Sequence, residues 1–117
     1  RTGARLSIVS NISSGGMAYP AEEILRDGLM LNQDEIFTVK ERMAELCINV
    51  CKTLDRYGIN YGMLGLDIGI DDKKRLWIIE INNRYPHPAI AMRANEMDSY
   101  YTVLSYPLRY AKWLAGF

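Results

Sequence analysis

Two apolar stretches on either side of a charged segment constrain this sequence more than any other feature. Residues 66–70 and 76–82 each alternate or run apolar over the length of a strand. Two aspartates and three basic residues occupy positions 71–75 between them, a composition typical of a turn. The pattern predicts one antiparallel β-hairpin.

The position of the turn sets which side chains face each other. With Lys73 and Lys74 at the tip, the predicted opposite pairs are Asp72 with Arg75, Asp71 with Leu76 and Asp67 with Glu80. Opposite side chains in such a ladder lie roughly 5 Å apart at Cβ. Strand side chains alternate, so we expect Asn82 to point to the same side as Glu80.

Asp67, Glu80 and Asn82 therefore form a candidate cation site. Two carboxylates and a carboxamide on a half-buried face are costly without a positive partner. Oxygen ligands without Cys or His suit a hard cation such as Mg²⁺ or Mn²⁺, and Mg²⁺ also takes phosphate and water oxygens. An ordinary surface sheet, with Lys or Arg side chains satisfying the carboxylates, explains the residues equally well. Spacing alone leaves both interpretations open.

Composition limits the classes of function. A chain of 117 residues forms at most one domain. Its 14 basic and 14 acidic residues give a net charge of zero, which offers no electrostatic footprint for nucleic acid or an anionic membrane. No apolar run approaches the roughly 20 residues that span a bilayer, and the first residues lack a signal-peptide pattern. We expect a cytoplasmic location, with no nucleic-acid or membrane partner.

An amphipathic helix is predicted before the hairpin. Asn32 is a good N-cap with Glu35 three positions later, and Gly58 is placed to end the helix. Apolar residues recur between these points at spacings of three and four: Ile36, Val39, Met43, Leu46, Cys47, Val50, Leu54 and Tyr57. We expect this stripe to pack on the sheet. Cys47 and Cys51 are expected to serve packing and not a disulfide or a zinc site.

The amino-terminal segment is less regular. Residues 5–11 alternate as a strand and lead into a turn at 13–16. The adjacent glycines Gly15 and Gly16 permit an anion-binding loop, although an ordinary turn accounts for them on spacing alone. A short helix is predicted over 21–27.

The carboxyl-terminal segment is helical in pattern from Ala89 onward, with Asp98 as a predicted N-cap. Pro107 interrupts the pattern. We expect a new or kinked helix after it, with Trp113 and Leu114 facing inward.

The hairpin residues resemble the Mg-ATP signature of the ATP-grasp superfamily. In this sequence Asp67 is followed thirteen positions later by Glu80 and then by Asn82. The flanking residues 10–16 and 82–86 are similar to the endospore coat-associated ATP-grasp proteins of the YheC/YheD type. The resemblance covers nearly the whole chain. It implies that residues 1–117 form the carboxyl-terminal part of an ATP-grasp domain, a fragment that lacks the preceding lobe with its adenine pocket.

The resemblance also suggests further site residues. Those expected to bind ATP and its metal are Arg1, Asn11, Gly15, Gly16, Asp67, Glu80 and Asn82, and those expected to act in catalysis are Arg1, Asn11 and Arg84. Some relatives carry an arginine two positions before the loop asparagine, where this chain has Val9. Arg84 lies close enough to Asn82 to hold a phosphate or a substrate carboxylate, although a solvent-exposed arginine fits its position as well.

These patterns predict an α+β fold, with a mainly antiparallel sheet and helices packed on one face, resembling the carboxyl-terminal lobe of an ATP-grasp fold. The implied function is Mg²⁺-dependent ATP binding in a ligase that activates an unknown carboxylate as an acyl phosphate and transfers it to an amine or thiol. The face left by the missing lobe is expected to promote self-association. Two alternatives stay open: a spore-coat structural or assembly module, and a regulatory domain that binds a nucleotide without turning it over.

Overall fold

Helices and short strands make up the described part of the chain. The computed structural model describes residues 3–5, 17–59, 61–83 and 89–117. In chain order the elements are β1 (Gly3–Arg5), β2 (Ala18–Pro20), α1 (Ala21–Glu23) with a π-helical turn (Ile24–Gly28), α2 (Gln33–Arg56), β3 (Gly65–Ile70), β4 (Leu76–Asn82), α3 (Ala89–Arg93) and α4 (Met97–Leu114). Both described strand pairs, β1 with β2 and β3 with β4, are antiparallel. The predicted α+β class is confirmed.

The chain divides into two compact units. The first contains the described residues between positions 1 and 32 and between 87 and 117. Here α3 packs against both β2 and α4. The predicted short helix is present as α1 and its π-helical continuation. The buried apolar side chains of this unit are Ala21, Leu25, Leu31, Ala91 and Ala94.

The second unit, between positions 33 and 86, contains α2 and the β3–β4 hairpin. α2 begins directly after Asn32, where the capping signals predict its start. The predicted stripe is the less exposed side of the helix. Ile36 and Val39 are buried, whereas Met43, Leu46, Cys47, Val50 and Leu54 are half-buried. Tyr57 lies beyond the helix and is 78% exposed, so it does not belong to the stripe.

The two cysteines of α2 have different surroundings. Both are free thiols; Cys47 is half-buried and Cys51 is exposed. The packing prediction is therefore wrong for Cys51. Successive residues of a helix are rotated by about 100°, and this rotation places Cys51 at the edge of the apolar stripe. Burial raises the pKa of the Cys47 thiol, and the neighbouring Cys51 adds to this effect. A raised thiol pKa suits packing better than nucleophilic chemistry.

α2, α3 and α4 end in the same backbone motif. After α2, the N–H of Gly58 donates to the carbonyl of Asp55 (2.9 Å) and the N–H of Ile59 to that of Leu54 (3.1 Å). This pair of bonds is a Schellman motif, which needs a left-handed residue, and Gly58 has φ +72°. Asn95 (φ +59°) and Gly116 (φ +78°) take the same place after α3 and α4. The predicted helix stop at Gly58 is confirmed.

α4 differs from its prediction. It runs without interruption from Met97 to Leu114 with Pro107 inside, and its N-cap is Glu96 and not Asp98. A proline removes one helical hydrogen bond, which an 18-residue helix tolerates as a local defect. Trp113 and Leu114 are 70% and 62% exposed, so the prediction that they face inward is wrong. Trp113 instead stacks on Tyr110, with ring centroids 5.8 Å apart.

Several amino-terminal predictions fall outside the described residues. The strand predicted over 5–11 overlaps the described chain only at Arg5, which ends β1. The turn at 13–16 lies outside it. The pairing of β1 with β2 was not predicted from the sequence.

Replacing Gly58 by Ala should lower the free energy of unfolding by about 1 kcal/mol, because a left-handed backbone is unfavourable for a residue with a Cβ. No atom lies within 4 Å of the added Cβ, so new packing cannot offset this cost. Urea unfolding followed by circular dichroism measures it.

Gly28→Ala is the matched control. Its added Cβ would lie 3.5 Å from Ile24 Cγ2, an ordinary contact within a helical segment. We expect its stability to be unchanged or slightly raised. Equal losses in the two variants would contradict the left-handed interpretation of Gly58.

Candidate functional site

The β3–β4 hairpin contains two registers separated by a β-bulge. The opposite pairs are Ile70 with Leu76, Gly69 with Trp77 and Ile68 with Ile78, and then Asp67 with Glu80, Leu66 with Ile81 and Gly65 with Asn82. Ile79 is the extra residue on β4. The predicted pairing of Asp67 with Glu80 is confirmed. The loop at the tip and the register of the pairs next to it differ from the prediction.

The hairpin tip differs from its prediction. The N–H of Asp71 donates to the carbonyl of Arg75 (3.1 Å), and the N–H of Lys74 donates to the carbonyl of Asp71 (2.9 Å). The loop therefore has three residues, 72–74, and not two. The predicted pairs Asp71 with Leu76 and Asp72 with Arg75 are wrong. Lys74 has φ +60°, the left-handed residue that such a loop requires.

The side chain of Asp71 explains why the longer loop forms. Its Oδ1 accepts the backbone N–H groups of Lys73 (3.0 Å) and Arg75 (2.9 Å). Its Oδ2 accepts Nε of Arg75 (2.7 Å) and Nε1 of Trp77 (3.0 Å). The Arg75 guanidinium also lies 5.4 Å from the centroid of the Trp77 ring. We call this group the Asp71 clamp.

The clamp stabilises the ionised carboxylate. The hydrogen bond from the backbone N–H of Arg75 contributes most to lowering the pKa of Asp71 to about 2. Partial burial opposes the shift, whereas the side-chain bonds from Trp77 and Arg75 and the charge of Arg75 support it. The clamp was not predicted from the sequence. The available signal was an aspartate at the first position of a turn, since its side chain commonly accepts the N–H two residues later.

α2 supports the hairpin from one side. Nη1 of Arg42 donates to the carbonyl of Lys74 (3.1 Å), and Nζ of Lys74 forms an ion pair with Glu35 (2.5 Å). Farther from the tip, Ile81 and α2 line an open groove of about 310 Å³. The α2 residues in this groove are Leu46, Asn49, Val50, Thr53 and Leu54. Ile81 therefore faces α2, as predicted for a helix packed on one face of the hairpin.

Asp67, Glu80 and Asn82 belong to the opposite face. Strand alternation places Glu80 and Asn82 on the side away from Ile81, and the ladder places Asp67 on the same side as Glu80. Asp67 and Asn82 are half-buried, and Glu80 is exposed. Gly65, opposite Asn82, adds no side chain to this face.

The donor set fits a hard cation. It supplies carboxylate and amide oxygens, which suit Mg²⁺. Because the protein provides few ligands, phosphate and water oxygens would complete the coordination, as is usual for Mg²⁺. Within the described residues, no group of three or more His, Cys, Asp and Glu side chains is arranged to hold a metal ion. Asp67 and Glu80 are only two such side chains, with the amide of Asn82 as the third oxygen donor, so the set stays a candidate site.

The other predicted site residues lie outside the described part of the chain. They are Arg1, Asn11, Gly15, Gly16 and Arg84. Their roles in phosphate binding and catalysis stay predictions. Nδ2 of Asn83 donates to the hydroxyl of Tyr61 (3.1 Å), which fixes the chain directly after Asn82.

β4 also exposes a series of large apolar side chains. Trp77 and Ile79 are 53% and 71% exposed, and Ile78 and Ile81 are each 41% exposed. Exposed apolar surface is what the predicted self-association requires. That self-association stays a prediction. Among the described helices, none combines the length and the apolar character needed to cross a bilayer.

The fold and the donor set define an α+β domain with an oxygen-rich face on an antiparallel hairpin. A model of the YheC/D-like ATP-grasp family matches residues 1–114. The chain therefore belongs to this family, and membership indicates an ATP-binding function of the ligase type. No curated protein and no solved structure matched the chain.

The Asp71 clamp should make stability depend on pH in the acid range. The folded-state pKa of about 2 lies below the value of about 3.9 for an unfolded aspartate, so the contribution is present above roughly pH 4 and is lost as the pH falls toward 2. Asp71→Asn removes this titration. The difference in free energy of unfolding between wild type and Asp71→Asn should therefore be largest at neutral pH and shrink between about pH 4 and 2.

Urea titrations at several pH values measure this difference. Asp72→Asn, which changes an exposed neighbour in the same loop, serves as the control and should follow the wild-type curve. A difference for Asp71→Asn that stays constant down to pH 2 would show that its charge does not support the loop.

Proposed function

We propose that this chain is the Mg-ATP-binding, carboxyl-terminal part of an ATP-grasp ligase, and that Asp67, Glu80 and Asn82 hold the metal. The pairing of Asp67 with Glu80 across the hairpin, on the face that also carries Asn82, supports this proposal most strongly. Family membership supports ATP as the ligand.

The charges of the pair favour a cation. Directly opposite residues in an antiparallel ladder lie roughly 5 Å apart at Cβ, so the two carboxylates repel each other when both are ionised. A cation held by both groups removes this repulsion. When bound, Mg²⁺ neutralises charge on the phosphate oxygens of ATP and so supports phosphoryl transfer.

The protein residues have positioning and charge-balancing roles in this proposal. Asp67 and Glu80 supply the negative charge, and Asn82 supplies a neutral amide oxygen. None of these side chains needs to carry a proton. α2 contacts the hairpin at Lys74 and lines a groove with Ile81, so the carboxylates stand on a supported strand pair and not on a free loop.

The finer steps belong to the same proposal. A substrate carboxylate would attack the γ-phosphorus of ATP, releasing ADP and forming an acyl phosphate. An amine or thiol would then displace phosphate. Arg1, Asn11 and Arg84 are proposed to hold phosphate or substrate oxygens, and a preceding lobe is proposed to supply the adenine pocket. A cytoplasmic protein associated with the spore coat would suit this assignment.

Binding of Mn²⁺ tests the site directly. Mn²⁺ should broaden the amide signals around Asp67 and Glu80 in the 117-residue chain, and a non-hydrolysable ATP analogue should tighten binding because its phosphates complete the coordination. Asp67→Asn and Glu80→Gln should each weaken binding by at least about tenfold, since each removes one of two charged ligands.

Asp72→Asn is the control for this experiment. It removes the same charge from the same hairpin at an exposed loop position, and Mn²⁺ binding should stay at the wild-type level. Broadening that spares residues near Asp67 and Glu80, or equal weakening in all three variants, would contradict the proposed site.

Glu80→Gln separates a role in turnover from a role in folding. Removing one of two repelling carboxylates should leave the metal-free melting temperature unchanged or raise it. ATP consumption by a protein that contains this chain and the preceding lobe should fall by orders of magnitude. Equal turnover in wild type and variant would contradict catalysis. Nucleotide binding without turnover in both would favour the regulatory alternative.

A further inference from the structure

The bulge at Ile79 changes which residues share a face with Asp67. Near the tip, each pair of opposite residues has numbers that sum to 146, as in Gly69 with Trp77. If that register continued unbroken, Asp67 would lie opposite Ile79, and Glu80 would point to the other face. The extra residue restores the pairing of Asp67 with Glu80.

Gly69 provides the space for this extra residue. A Cβ at position 69 would lie 3.2 Å from Cδ1 of Ile79 and 3.5 Å from its Cγ1. The side chain of Ile79 therefore covers Gly69 on the face that also carries Asp67, two residues earlier on β3. A side chain at position 69 would compete for the same space.

The Asp71 clamp determines the register on the tip side of the bulge. It fixes the three-residue loop, and this loop sets the register of the first three pairs of the ladder. At the open end the ladder has the other register, with Asp67 opposite Glu80, Leu66 opposite Ile81 and Gly65 opposite Asn82. The mismatch of one residue between the two must be absorbed between them. It is absorbed opposite Asp67 and Ile68 by the extra residue Ile79, whose side chain lies over Gly69.

We propose that this bulge is a positioning element that directs the Glu80 carboxylate toward Asp67, and that Gly69 and Asp71 are positioning residues that maintain it. The inference rests on the cation site proposed above. A bulge bends its strand and increases the local twist, which re-aims the neighbouring side chain. Ile79 itself is 71% exposed, so it contributes little burial that would explain the bulge as a packing feature.

Deletion of Ile79 removes the bulge and its bend without changing which residues are paired. In the shortened hairpin the tip register continues without a break and still places Asp67 opposite Glu80, so the ligands and the clamp are retained. The dissociation constant for Mn²⁺ should rise about tenfold, the lower end of what loss of an orienting partner costs a metal site. The melting temperature should not fall, because a regular ladder replaces an interrupted one.

Two further variants complete the test. Ile79→Ala keeps the extra residue and should bind Mn²⁺ like wild type. Gly69→Val adds a branched side chain where Ile79 lies and should weaken Mn²⁺ binding as the deletion does. The indole N–H signal of Trp77 reports the clamp, and contacts between the Hα atoms of Asp67 and Glu80 report their pairing.

The outcomes separate the two proposals. Unchanged Mn²⁺ affinity in the folded deletion variant, with wild type binding normally, would overturn the role of the bulge and leave the cation site intact. If the deletion variant does not fold, unchanged affinity in Gly69→Val overturns the inference in the same way. If wild type itself does not bind Mn²⁺, the proposed site is wrong and this inference falls with it.

Discussion

A side chain in a β-ladder can change faces only if the register shifts by one residue, and β3 and β4 contain one such shift, at Ile79. The two ends of the hairpin are therefore specified separately. At the tip, one carboxylate that accepts four hydrogen bonds fixes the loop. At the open end, Asp67 and Glu80 face each other. α2 contacts the hairpin near both ends. Arg42 donates a hydrogen bond to the carbonyl of Lys74 near the tip, and α2 lines a groove with Ile81 farther along.

Much of the second unit could be predicted from sequence because its signals are local and agree with one another. The capping residues, the apolar stripe and Gly58 all describe the same helix, and the structure places α2 between them. The bounds of β4 follow from a mainly apolar stretch, interrupted by Glu80, that ends at Asn82. Where several local preferences support one element, tertiary contacts have little reason to override them.

The errors arose where one interaction overrode the pattern. Simple counting predicted a two-residue loop at Lys73 and Lys74, but the four bonds accepted by Asp71 favour a three-residue loop. The prediction still paired Asp67 with Glu80, because an error of one residue at the tip was cancelled by the bulge. At Pro107, the general effect of proline on helices predicted a new or kinked helix, whereas α4 continues from Met97 to Leu114. Residue types thus indicated the candidate site, whereas its supporting contacts required the structure.

The division of the chain into two units also affects the order in which they form during synthesis. The second unit is continuous in sequence, so all of its contacts are available once position 86 has left the ribosome. The first unit is split, and α3 packs on β2 across the whole of the intervening segment. The contact between α3 and β2 therefore forms only after α3 has been synthesised, and it closes a much longer loop. Until then, the carboxylate-bearing hairpin can fold against α2 while the remainder of the protein is still being made.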